Sequence, residues 1–519
     1  MHQVEVLFAL LVVVAALAAL ARRLAVPQPI LMLVGGLVLG LLPIVPRLEL
    51  APETVLVVFL PPLLYVAAFY TSIRDFRANG PAIASLSFGL VVATAAAVAV
   101  AARLALPALS WPVAFALGAI VAPPDAAAAT AVMQRLGAPR RVVTILEGES
   151  MLNDATALVA YRIALAAAVS GAFSLGDAAA RFVLVAAGGA AVGYVVARVV
   201  AAIRRRAADT PVSITVSLVT PFAAYLPAEA AGASGVIAVV VAGLHLGRHA
   251  PRFMSSETRI TGGAVWQMLV FLLSGLLFLL LGLQLPLIVS RLEAVPPRDL
   301  IGVPLAVTAT AIAVRFAWVF AGTYLAGPVR RAPAPPWQES FVISWAGMRG
   351  AVSLAAAFAL PLGLDRELPF ARDLLIFATF VVILATLVGQ GVTLPVIMRR
   401  LGVTADPDVE HDEAHARVET AQVALERLEE MRARWGSHAE LLDALAARYA
   451  HRVQHADLHH EGPLGAAETE RLEHRQIRQE LIDAERAAAR EMHARGAIDD
   501  VVLRRLERDL DLEELRSED

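Results

Sequence analysis

Glu147, Glu149, Ser150, Asn153, Asp154 and Arg162 all fall within residues 142–168, a stretch otherwise apolar enough to cross a bilayer. Each ionised group near a bilayer centre costs about 2.5–3.5 kcal/mol even on the lenient insertion scale, so several together demand a role. On a helix, Ser150, Asn153 and Asp154 fall at i, i+3 and i+4 and share one face; Glu149 and Asn153 form a further i, i+4 pair. At 1.5 Å per residue, Asp154 lies roughly 18 Å along a helix starting near residue 142, close to the midplane. A carboxylate in such a dry setting is stabilised either by a bound monovalent cation or by a proton, and the two compete for one group. If the segment that carries it crosses only when neutralised, strict exchange follows. Glu149 is expected to pair with Arg349, which would keep it charged and silent. Asp154 has no dedicated cation in the sequence pattern.

The preceding apolar stretch reads Gly118-Ala119-Ile120-Val121-Ala122-Pro123-Pro124-Asp125 and continues apolar to Val132. Two prolines in mid-span remove two backbone donors and free carbonyls upstream, so the helix is expected to be interrupted there. Unwound backbone at membrane depth is tolerated only where it is buried in protein or lines a cavity, and Asp125 sits at that break. A second interruption is expected at Gly347-Met348-Arg349-Gly350, where glycines flank a buried Arg. Broken helices in corresponding places of two chain halves point to a transport site at the interface of inverted repeats.

Long apolar helices must hold these residues. Stretches of roughly 20 residues, enough for about 30 Å of hydrocarbon, recur along the chain. They lie near 4–21, 28–46, 53–72, 81–106, 111–134, 142–168, 178–203, 209–227, 232–247, 264–290, 300–326, 338–362 and 371–398. The expected fold is an all-α polytopic membrane protein of about 13 transmembrane helices, followed by a soluble helical tail. With the N-terminus outside, the inward loops hold Arg22, Arg23, Arg74, Arg77, Arg135, Arg140, Arg141, Arg204 to Arg206, Arg248, Arg252, Arg330, Arg331, Arg399 and Arg400. The outward loops hold roughly a third as many (Arg47, Arg103, Arg291, Arg298, Arg366 and Arg372), which sets the N-terminus outside and the C-terminus inside. The apolar run Leu7 to Leu20 ends in Arg22-Arg23 and lacks a small-residue cleavage site, so it reads as a first span in an inner membrane rather than a cleaved signal.

Composition agrees: 58% of the 519 residues are hydrophobic. A net charge of −3 gives nucleic acid no reason to bind. The absence of Cys excludes disulfides and thiolate metal sites, and there is no Lys. Residues 403–519 are rich in Glu, Arg, Ala and His, with Leu at helical spacing and expected breaks near Gly436 and Gly462-Pro463. That tail holds nine of the twelve His residues. His451, His455 and His459 lie on one helix face, where a pH sensor, a metal ligand set or a solvated face are the readings, the last favoured by the surrounding charge.

Glu149-Ser150-Met151-Leu152-Asn153-Asp154 resembles the E-S-x-x-N-D signature of the monovalent cation:proton antiporter family, which includes the sodium/proton exchangers. Pro124-Asp125 falls where that family has its T-D-P break, and Gly347-Met348-Arg349-Gly350-Ala351 resembles its G-L-R-G-A segment. The three segments, in order and with the hydropathy profile, cover residues 1–402. The resemblance implies a homodimer whose protomers pair a dimerisation part (about 1–80 and 209–290) with a core part (about 81–168 and 300–398). The core carries crossed, broken fifth and twelfth helices and moves like an elevator. It implies Asp154 and Asp125 as ion-binding, proton-titrating acids, Ser150 as a Na+ ligand, Asn153 as the residue that orients the site, and Glu149 paired with Arg349. No cofactor is implied beyond the transported cation and proton. Where the family often has Thr, this chain has Pro124, whose backbone carbonyl is expected to be free to coordinate.

Potassium/proton exchange with the tail as a gate is the alternative within carriers, since hard oxygen ligands accept either ion. Under either reading the 403–519 tail is expected to be regulatory, with a regulatory ligand or protein as its partner. An intramembrane hydrolase would need a base beside its nucleophile, and the spans hold essentially no His beyond His245. Asn-Asp relatives are typically electroneutral, so one-for-one exchange is implied. Imposing a membrane potential with valinomycin in proteoliposomes is expected to leave the exchange rate unaltered; a clear response would point to the electrogenic branch.

Overall fold

The computed structural model describes residues 2–24, 26–42, 52–125, 129–130, 132–133, 136–170, 174–206, 209–293, 295–324, 335–361, 370–403, 407–461 and 464–518. Its regular elements are all helical, in two units, residues 1–405 and 406–519.

The first unit contains α1 (His2–Leu24), α2 (Gln28–Gly40), α3 (Pro52–Tyr70), the short α4 (Ile73–Ala78), α5 (Gly80–Ala84), α6 (Val91–Ala105), α7 (Trp111–Val121), α8 (Arg140–Ser170), α9 (Leu175–Arg206), α10 (Thr210–Ala230) and α11 (Gly235–His249). It continues with α12 (Ser256–Ser290), α13 (Pro297–Tyr324), α14 (Trp337–Trp345), α15 (Ala351–Phe358), α16 (Ala371–Leu384) and α17 (Gly391–Leu401). Each expected span coincides with helix; the fifth and twelfth are interrupted where breaks were expected, and the fourth and thirteenth each contain a π-helical turn that was not expected. Wide π-helical turns, Ser85–Leu90 and Ala385–Gln390, join α5 to α6 and α16 to α17. Among the described residues, six helices are long and apolar enough to cross a membrane: Gly80–Ala105, Ala179–Arg206, Thr210–Ala230, Ser256–Ser290, Pro297–Tyr324 and Ala371–Leu401. The helix with the polar cluster, α8, is not among them, because the side chains that make it interesting lower its hydropathy.

Ion pairs between loops test the alternation of the spans. Asp75, between the third and fourth, meets Arg140 at the start of α8 at 2.9 Å. Arg141 beside it meets Glu339 at the start of α14 at 3.2 Å. Three odd-numbered connections therefore share one face. Further along α8, Arg162 meets Glu229 of α10 at 2.8 Å. Arg47, Arg135, Arg330, Arg331 and Arg366 lie outside the described residues.

Lipid tails give helices no apolar incentive to associate, so close approach through small residues matters. The chain meets this with Gly-x-x-x-Gly pairs. Gly36 and Gly40 of α2 lie on the backbone of α12 at Leu279–Leu283, where Gly282 returns the fit against Leu33. Gly189 and Gly193 of α9 lie on α11 at Ser234 and Ala238, and Gly243 and Gly247 of α11 lie on α3 at Tyr65 and Phe69. Around these last contacts α3, α9, α10 and α11 share one buried cluster; α6, α7, α13 and α16 build another.

The second unit pairs α18 (Pro407–Arg432) with α19 (Ala439–Glu461), and α20 (Leu464–Ala494) with α21 (Asp500–Glu518). The break at Gly436 is present as a tight 3-10 turn; Gly462 and Pro463 lie outside the described residues. A further break at Gly496, with φ +72°, went unanticipated. His451, His455 and His459 fall on α19, and their side chains lie outside the described set. Arg486 binds Asp511 at 2.5 Å and also Glu514, holding the Glu514 carboxyl below the usual carboxylate range. Solvent-facing pairs of this kind add little stability.

Gly282→Leu would force a side chain into the α2 backbone. Overpacking of this kind costs roughly 1–3 kcal/mol, so a lower melting temperature in detergent is expected, whereas Gly302→Leu, in open space, should melt as the parent does.

Candidate ion-binding site

The helix α7 stops at Val121, and Pro123-Pro124-Asp125 runs on without helical bonds. On the opposite side α14 stops at Trp345, and residues 347–350 are likewise irregular before α15 begins. The two breaks bond to each other. The Asp125 N–H donates to the Met348 carbonyl at 2.7 Å, and Arg349 Nε donates to the Val121 carbonyl at 2.8 Å. The same guanidinium donates through Nη1 to the Gly347 carbonyl. Gly350 is required here: a methyl group on its Cα would occupy the position of the Asp125 carboxylate.

The π-helical turns supply the next contacts. Thr386 Oγ1 accepts the Arg349 backbone N–H at 3.0 Å while donating to the Val382 carbonyl at 2.7 Å. Ser87 Oγ donates to the Glu149 carbonyl at 3.2 Å. One π-helical turn therefore holds the second break, and the other holds α8.

Along α8, Asn153 is wholly buried and its Nδ2 donates to the Pro124 carbonyl at 2.9 Å; its Oδ1 is buried without a hydrogen-bond partner. Asp154 is 7% exposed. Asp125, half-buried at the break, is the charged side chain that acts electrostatically on it. No arginine forms an ion pair with Asp154 among the described residues. Ser150 and Glu147, half-buried, lie one and two turns earlier on the same helix.

Two expectations need correction. Glu149 pairs with Arg315 of α13 rather than with Arg349: Nη1 reaches Oε1 at 2.5 Å and Nη2 reaches Oε2 at 2.8 Å, with both side chains 1% exposed. This two-pronged geometry suits guanidinium and carboxylate, and Arg315 also donates to the Ile343 carbonyl from Nε at 3.2 Å and Nη2 at 3.0 Å. Arg349 forms no ion pair with Glu149 among the described residues; its Nε and Nη1 are on backbone carbonyls instead. Arg315 is the lone charge within its span, and an isolated charge in an apolar helix is itself a sign of a buried partner. The Pro124 carbonyl, expected to be free, accepts from Asn153, which leaves one lone pair. Sequence reasoning missed Thr386 and Ser87, since hydroxyls in apolar spans give no distinctive signal.

Chemically, the Asp125 carboxylate and the partly used Pro124 carbonyl at the break, with the Asp154 carboxylate on the helix that Asn153 ties to it, are hard oxygen donors of the kind that suit an alkali cation or a proton.

Residues 9–400 match the family model for the sodium/hydrogen exchanger, transmembrane. An uncharacterized Na(+)/H(+) exchanger of Mycobacterium tuberculosis is 38% identical over 529 residues, covering 98% of this chain and 96% of that protein. The sodium, potassium, lithium and rubidium/H(+) antiporter of Bacillus subtilis is 34% identical over 386 residues, covering 72% of this chain and 58% of that protein. The solved sodium proton antiporter MjNhaP1 of Methanocaldococcus jannaschii shares the fold, with a TM-score of 0.62 and 21% identity across 77% of this chain and 99% of that one. With its membrane unit matched throughout and a relative aligned along nearly its full length, the chain belongs to the sodium/hydrogen exchanger family and is a multi-pass membrane cation/proton antiporter, a transporter rather than an enzyme.

Proposed function

We propose that the chain exchanges Na+ for H+ one for one, with Asp154 holding either ion in turn. The observation that carries this reading is a buried carboxylate, beside two interrupted helices, whose neighbouring arginines are all engaged elsewhere. Arg315 is occupied by Glu149 and Arg349 by backbone, so the charge on Asp154 is left for a transported ion to balance. Asp125, the Ser150 hydroxyl and the remaining lone pair of the Pro124 carbonyl complete an oxygen shell for Na+. Asn153 fixes that carbonyl. Residue 153 is Asn rather than a second acid and the chain has no Lys, which supports one charge out for one charge in.

In this reading the site travels in a core formed by residues 81–168 and 300–398, against a dimerisation part formed by 1–80 and 209–290, in a homodimer. The N-terminus is outside and the C-terminus, with a regulatory tail, is in the cytoplasm. Sodium is favoured by the family and by the relatives' names; the Bacillus relative's name also includes potassium, so selectivity is measured directly. Dequenching of a pH dye in everted vesicles should be larger with sodium than with potassium; the reverse order would reassign the substrate.

Two substitution series test the site. Asp154→Asn is expected to abolish exchange, and Asp154→Glu to leave it slowed but measurable. Robust counter-transport in the Asn variant would remove Asp154 from its role. Arg315→Met strands a buried Glu149 and should cost about 3–5 kcal/mol of stability. Adding Glu149→Gln should recover much of the lost melting temperature, whereas adding the same change to Arg349→Met should recover none.

A further inference from the structure

A cavity of about 710 Å3 lies between the α3–α4 turn and the α11–α12 turn, and none of the residues at the crossing lines it. Four arginines are among its walls: Arg74, Arg77, Arg248 and Arg259, with no acid. Arg74, Arg77 and Arg248 are exposed and form no ion pair among the described residues. Among the described residues, Arg259 reaches the Met254 carbonyl at 3.2 Å and Ser256 Oγ at 3.4 Å and no acid. Of the acids nearest in sequence, Asp75 is taken by Arg140 at 2.9 Å, and Glu257, exposed in the first turn of α12, is not among the residues that line the cavity.

A second observation adds to this imbalance. Arg204 of α9 is 2% exposed, yet no carboxylate pairs with it among the described residues. Its Nε donates to Ser213 Oγ at 3.1 Å, its Nη1 is buried without a partner, and its guanidinium lies 4.9 Å over the ring of Phe253, the neighbour of Met254 in the cavity wall. A buried guanidinium without a counter-charge, behind a wall that carries four more, makes a strongly positive corner.

The anion that fits has both charge and hydrocarbon. Cavities of this size hold a molecule much larger than inorganic phosphate. Beside the arginines, Tyr70 is 60% exposed and Ile260 68% exposed, the pattern of residues that face the acyl and headgroup zone. Guanidiniums keep their charge and grip phosphate oxygens in two-pronged fashion. The arginine count assigns this face to the cytoplasmic leaflet, where anionic lipids concentrate. We propose that the cavity binds the headgroup of an anionic phospholipid, with a diphosphatidyl lipid, two phosphates on one headgroup, as the best match for four arginines. Such a lipid bridges the α3–α4 and α11–α12 turns.

The test uses the full chain in nanodiscs of phosphatidylcholine, with and without diphosphatidylglycerol, or with inorganic phosphate at equal phosphorus. The unaltered protein should retain diphosphatidylglycerol in native mass spectrometry and melt higher in its presence, with no comparable rise from inorganic phosphate. Arg74→Gln/Arg77→Gln/Arg248→Gln removes three cations, each worth roughly a factor of five against an anionic surface, so retention should fall about 100-fold. The control Arg22→Gln/Arg23→Gln should retain the lipid. Equal melting in both lipid mixtures, full reproduction of the rise by inorganic phosphate, or parental retention by the triple variant would overturn the proposal. The lipid comparison needs no variant, so it decides the matter even if the triple substitution impairs folding.

Discussion

Peptide groups released from a helix inside a bilayer find no water, so each must be satisfied within the protein or face a water-filled cavity. In this chain Arg349 and the backbone around it meet much of that demand, with its guanidinium on the Val121 and Gly347 carbonyls and the Met348 carbonyl on the Asp125 N–H. The solution has an electrostatic corollary. An arginine used to cap carbonyls is directed away from carboxylates, and Arg315 is committed to Glu149. The positive charges nearest the crossing are thus allocated before Asp154 is considered.

Two packing styles coexist in the membrane unit. Away from the crossing, glycine seams bring backbones into contact without polar bonds, as between α2 and α12 and between α11 and α3. At the crossing, contact is made by directed hydrogen bonds and a buried ion pair, which fix geometry to within a bond length. Seams of the first kind suit a scaffold, because they tolerate loss of any single hydrogen bond. Bonds of the second kind suit a site that must discriminate between a proton and a cation.

How much of this was legible from sequence depended on the range of the interactions involved. The spans, the tail and both breaks follow from local composition and were found. The partner of Glu149 was not, because which guanidinium reaches it depends on how α13 leans on α8, and Arg349 looked available until its bonds to carbonyls were seen. Proline pairs show the same limit. Pro123-Pro124 coincides with a break, while Pro61-Pro62 leaves α3 continuous. What distinguishes the first is a donor 228 residues away that takes the Val121 carbonyl. The π-helical turns were not anticipated: Ser85–Leu90 and Ala385–Gln390 each carry a Gly and a few polar side chains, which isolated apolar helices also tolerate.

Those wide turns make chain length a coordinate of the site. A π-helical turn accommodates an extra residue without ending the helix. Deleting one residue from either turn would let it tighten to an ordinary α-helical turn with its flanks nearly in place, removing the wide turn that presents Ser87 to α8 or Thr386 to the second break. The motif spellings, the hydropathy and the charge would all survive such a deletion. In an alignment of relatives, a single gap at either place would therefore mark a rebuilt site even where every signature residue is intact.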